Sequence, residues 1–129
     1  MKNKISKIFA GIFVATLVVG GNIVSAASVG YSATVPVYND YESGWLGKSA
    51  STAQNTCTYI QRGKLVSWME CKSGLSSGVN ATDKVTYGTT GTYSMPYYYG
   101  FSGHTEALLN ISTSSSTFVT VSTNGRITT

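Results

Sequence analysis

One histidine, two cysteines and few charged residues are all this chain brings to acid–base or metal chemistry. Each shortage closes off a class of function. A hydrolytic triad needs a nucleophile, a base and an orienting group that converge in space. His104 is the sole imidazole, with Glu106 two residues on, and on a strand the two would share a face. No nucleophile motif accompanies the pair, so His104 reads as an exposed loop histidine after Gly103. A glycosidase needs two carboxyl groups across a cleft, yet Asp40, Glu42, Glu70, Asp83 and Glu106 are scattered, with Asp40 and Glu42 in turn chemistry. Two cysteines without clustered histidines make no zinc site, and no run matches a calcium loop. These absences describe a non-enzyme with no metal and no cofactor.

Excess charge is missing too, once the first residues are set aside. Lys2, Lys4 and Lys7 precede an apolar run from Ile8 to Val19, and Ser25, Ala26 and Ala27 follow. A basic start, roughly a dozen apolar residues and a small-x-small site make a secretory signal peptide. Its span is residues 1–26, with cleavage after Ala26 or Ala27. The run is shorter than the roughly 20 residues of a membrane span; the competing reading is a retained N-terminal anchor. Removing the segment turns the formal net charge of +4 into a near-balance of six basic against five acidic residues. Such a balance excludes the phosphate-neutralising surface of a nucleic-acid binder and the cationic face of a membrane-binding helix. The expectation is an extracellular protein with no nucleic-acid partner and no membrane span in its mature part.

What is present favours strands. Residues 27–129 form one domain's length, rich in Ser, Thr and Tyr, with nine tyrosines in the chain. This composition suits pleated, half-buried surfaces, and no helical period runs through it. Tyr31, Ala33, Val35 and Val37 alternate with Ser32, Thr34 and Tyr38, and Pro36 makes this an edge strand. A weaker strand is expected between Trp45 and Asn55. Cys57 to Ile60 and Leu65 to Met69 flank Gln61-Arg62-Gly63-Lys64 and read as a hairpin. A register pairing Cys57 with Cys71 needs a three- or five-residue loop, whereas a two-residue Arg62-Gly63 turn would misalign them. An exported pair of cysteines suggests a Cys57–Cys71 disulfide, with two buried free thiols as the other reading. Further strands are expected at Val79–Tyr87, Thr92–Tyr99, Glu106–Ser112 and Thr117–Thr123. Asn124-Gly125 carries the strongest hairpin-turn signal of the chain. The sum is an all-β fold, a small antiparallel β-sandwich.

The early strand Tyr31–Val37, the polar stretch Ser49–Thr56, the Leu65-Val66-Ser67-Trp68 strand, the Tyr/Gly-rich second half and Leu108-Leu109-Asn110-Ile111 together resemble a group of small secreted proteins of unknown function from Gram-positive bacteria. The resemblance implies export and a β-sandwich and carries over no catalytic residue. The cysteine pair lies outside it.

Tyr93, Tyr97, Tyr98, Tyr99 and Phe101 form the densest aromatic cluster. Three consecutive tyrosines cannot share one strand face, so at least one is expected at the surface unless the strand is covered twice. On a strand, Tyr98 would behave oppositely to Tyr97 and Tyr99. Exposed tyrosines offer flat apolar area with a hydroxyl at low entropic cost; the other reading is a cover for the core. The expected binding residues are Tyr97, Tyr98, Tyr99 and Phe101, for an unidentified surface, glycan or protein ligand. The alternative function is a bacteriocin-like secreted antimicrobial.

Overall fold

The computed structural model describes residues 28–74 and 77–129. The expected signal peptide, with its cleavage sites, lies outside them. Alternation of apolar and polar residues builds the strands, and the apolar faces meet between two antiparallel sheets. The first sheet has the order β1 (Ser28–Val35), β10 (Val121–Thr128), β4 (Thr52–Ile60), β8 (Gly91–Pro96). In the second, β9 (Glu106–Thr113) lies between β5 (Leu65–Lys72) and the short strands β2 (Asp40–Glu42) and β3 (Leu46–Gly47). The far side of β5 takes β6 (Val79–Asn80) and β7 (Val85–Tyr87). The expected all-β sandwich is what the chain forms. Among the described residues no helix is long and apolar enough to cross a membrane.

The edge strand is as its alternation and Pro36 require. Val29, Tyr31, Ala33 and Val35 are buried, the residues between them are not, and among the described residues β1 pairs with β10 alone. Opposite them, Leu65, Met69, Leu109 and Ile111 close the core from the second sheet. Asp40 and Glu42 flank Tyr41 on β2 rather than lying in a turn, because Tyr41 is drawn into the core beside Tyr31.

The expected hairpin does not form. The strands on either side of Gln61–Lys64 belong to different sheets, so the segment is an arch over the end of the sandwich. Gln61 N–H donates to Ser122 O in the first sheet, and Lys64 O accepts from Ser114 N–H beyond β9. Gly63 turns the arch at φ 68°, where a Cβ would also meet the Thr117 side chain at 2.8 Å. Turn chemistry is present, but the core-facing residues of both strands are better buried by facing one another than by pairing edge to edge.

That arch also removes the Cys57–Cys71 disulfide: both cysteines are buried free thiols. The Asn55–Ser67 hydrogen bond marks one level across the sandwich. Cys57 lies two residues from it toward the arch and Cys71 four residues away from the arch. At ~3.3 Å per residue the two are on the order of 20 Å apart along the strands, where a disulfide allows Cα atoms at most about 7 Å apart.

Asn124-Gly125 makes no turn. Both residues lie inside β10, whose register against β4 shifts between them, a β-bulge. A Cβ on Gly125 would overlap Thr56 O and come within 2.5 Å of the Tyr31 hydroxyl, so the glycine makes room for the Tyr31 ring. Behind it sits a buried polar knot. The Tyr31 hydroxyl donates to Asn55 Oδ1 at 2.7 Å. Asn55 Nδ2 donates to Ser67 Oγ and to the Tyr87 hydroxyl, both at 3.1 Å. Ser67 Oγ in turn donates to the Tyr87 hydroxyl at 3.0 Å. Four residues from both sheets thus satisfy one another where water cannot, as buried polar groups must.

Candidate functional site

The tyrosine run lies at the end of the sandwich where β3, β4, β8 and β9 begin or end. β8 stops at Pro96, which is opposite Thr52 on β4. The chain then leaves the sheet. Tyr97 N–H donates to Ser51 O, Tyr98 N–H donates to Ala81 O, and Tyr97 bridges to Thr82 of the other sheet's connection. A single turn of 3-10 helix over Tyr99–Phe101 follows. The expected strand to Tyr99 is therefore cut short, and the expected alternation fails with it. Tyr97 is half-buried against the core, Tyr98 is 45 % exposed and Tyr99 is 98 % exposed. Exposure grows along the run because the backbone is climbing out of the sandwich.

A groove of about 310 Å³ opens beside this turn, between Tyr97–Tyr99 with Ser102 on one side and Lys48–Ser51 on the other. Lys48 is held by its N–H to Thr105 O at 2.8 Å and is only 4 % exposed. Its ammonium lies 4.5 Å from the centroid of the Tyr97 ring. The Tyr97 hydroxyl is buried without a hydrogen-bond partner among the described residues, and desolvation, followed by the nearby Cys71 sulfur, pushes its pKa up. On the outer side, the Tyr98 hydroxyl donates to Asp83 Oδ1 at 2.8 Å, and that carboxylate keeps the phenol protonated above its ordinary range. Phe101 stands between Tyr98 and His104, at 6.4 and 4.9 Å between ring centroids.

Three of the four expected site residues, Tyr97, Tyr98 and Tyr99, line the groove; Phe101 is not in the lining and packs on Tyr98. His104 packs on Phe101, and Glu106 on β9 meets Lys72 at 3.9 Å, so the two are engaged separately. Glu70 accepts from Asn110 Nδ2. No three His, Cys, Asp or Glu side chains come together as a metal-binding group among the described residues.

Sequence reasoning missed Lys48 and the serines around it, which look like part of a weak strand until the tyrosine turn lands beside them. It also passed over a second aromatic layer on the outer face of β5 and β9. There Lys84 caps Trp68 at 4.4 Å and Lys72 caps Trp45 at 4.7 Å. Trp68 Nε1 donates to Asn80 Oδ1. Those tryptophan faces are already occupied, whereas Tyr99 is not.

The fold and groove define a β-sandwich with an aromatic, singly cationic end-groove. No protein-family model matches the chain, and no curated protein resembles it in sequence.

Proposed function

We propose that this is a secreted, non-enzymatic binding protein that meets a cell-surface, cell-wall or protein ligand through the Tyr97–Phe101 groove. Export is supported by the basic, apolar and small-residue order of residues 1–26. The observation that carries the binding reading is Tyr99: an aromatic ring 98 % exposed, on a turn tied to both sheets, beside a groove. A fully exposed tyrosine adds nothing to the core, and exposed rings on rigid supports are the usual anchors of recognition. The groove offers hydroxyls and rings to a ligand, and its lining holds no histidine or carboxylate that could serve as a base.

The test separates binding from stability. Purified protein is incubated with peptidoglycan, intact cells and medium proteins, and captured partners are compared with those of Tyr99→Ala. The variant should unfold within about 0.5 kcal/mol of the parent, as at ordinary surface positions, and lose capture. Tyr97→Ala, by contrast, should cost about 3 kcal/mol or more, since a ring packed on the core is removed. Undiminished capture by Tyr99→Ala would remove the groove from the function.

A further inference from the structure

Lys48 is the feature that neither folding nor a neutral ligand accounts for. Charged side chains are almost never buried unless paired, because an ammonium removed from water is costly until an opposite charge or several acceptors surround it. Lys48 is 4 % exposed and makes no ion pair among the described residues, where Lys72 takes Glu106. What it has is the face of Tyr97, and a cation–π contact offsets only part of that cost. Among the described residues no acidic side chain lines the groove, and Asp83, outside the lining, is turned to the Tyr98 hydroxyl. A nearly buried cation facing a groove without an anion is an anion's place.

The rest of the lining narrows the anion. Lys48 is a single point charge, with no arginine, helix N-terminus or second lysine in the groove among the described residues, so the site suits a monoanionic carboxylate better than a dianionic phosphate. Ser49, Ser51 and Ser102 present hydroxyls, and Tyr98 and Tyr99 present ring faces. Hydroxyls with flat aromatic area match the two sides of a sugar ring. The volume of about 310 Å³ is at the small end of ligand pockets, which favours one ring over a folded peptide.

We infer that the groove binds an acidic sugar, its carboxylate on the Lys48 ammonium and its ring against Tyr98 and Tyr99. This rests on the binding function proposed above and names its ligand class. The experiment is calorimetric titration of the protein with matched pairs that differ in the carboxylate: glucuronate against glucose, and galacturonate against galactose. Inorganic phosphate is the control anion. Each acid should bind at least about tenfold more tightly than its neutral partner, the discrimination a charge-assisted contact supplies. Added salt should reduce that preference, Lys48→Gln and Lys48→Met should abolish it, and Tyr99→Ala should weaken acid and neutral sugar alike. Equal binding of acid and neutral sugars, tighter binding of phosphate, or a preference surviving in both Lys48 variants would overturn the inference. So would no sugar binding at all. If capture of another partner is nevertheless lost in Tyr99→Ala, the groove's binding function stands and only the acidic sugar falls. The parent protein with its matched sugars decides the matter even if both Lys48 variants misfold.

Discussion

Asn55→Ala removes the centre of the buried knot, and its cost can be worked from the hydrogen bonds around it. Asn55 is fully buried on β4. Ser67 and Tyr87 keep each other at 3.0 Å when the amide is gone, but the Tyr31 hydroxyl, 7 % exposed as a residue, loses its acceptor. One orphaned buried hydroxyl costs about 1–3 kcal/mol, and the space left by the amide about 1 more. The sum is about 2–4 kcal/mol, which in a domain of this size lowers Tm by roughly 10–25 °C. Tyr31→Phe should cost about 1–2 kcal/mol, since Asn55 keeps both its donor bonds. The double variant removes donor and acceptor together, so it should be about 1 kcal/mol or more milder than the sum of the singles. Thermal and urea unfolding of the four proteins measure this cycle. Asn55→Ala within about 0.5 kcal/mol of the parent, or strict additivity, would refute the assignment of the knot as a coupled element.

Gly125→Ala should destabilise by about 1–3 kcal/mol through overpacking against Tyr31 and Thr56, while Asn124→Ala at the exposed neighbour stays within about 0.5 kcal/mol; equal effects in urea unfolding would contradict the bulge packing. Burial raises the Tyr41 phenol from 10.0 to about 12 and the Cys71 thiol from 9.0 to about 11, with Tyr31 and Tyr87 shifted the same way. The folded protein then holds protons that the unfolded chain releases, so stability is full below about pH 9 and falls by about 1.4 kcal/mol per pH unit for each such group, from about pH 9 for the thiol and from about pH 10 for the phenols. Tyr41→Phe should flatten that slope above about pH 10 by one proton, and a flat stability profile from pH 9 to 11 would sink the reasoning. Both cysteines should resist a maleimide in the native state and label fully in denaturant without reductant; a need for reductant would mean the thiols are oxidised.

Alternation is a local property, and the chain alone therefore determined the strands whose pattern is clean. Val29 to Val35, with Pro36 closing it, is an edge strand on any reading. The scarcity of helix-forming periods likewise settled the all-β class, and the Tyr97–Phe101 cluster announced itself by density. Partner choice is not local. Gln61–Lys64 can close a hairpin or arch between sheets with the same residues, and the arch wins because it sets Asn55 against Ser67 and Tyr87 across the core. Asn124-Gly125 can turn or bulge, and the Tyr31 ring, distant in sequence, takes the space that only glycine leaves. Cys57 and Cys71 are separated by that same arch. Lys48 was one charge among several until the turn after Pro96 laid Tyr97 over it. A side chain's identity states what it can bind; whether it faces water, core or an empty groove depends on which distant segments pack around it, and only the tertiary structure decides that.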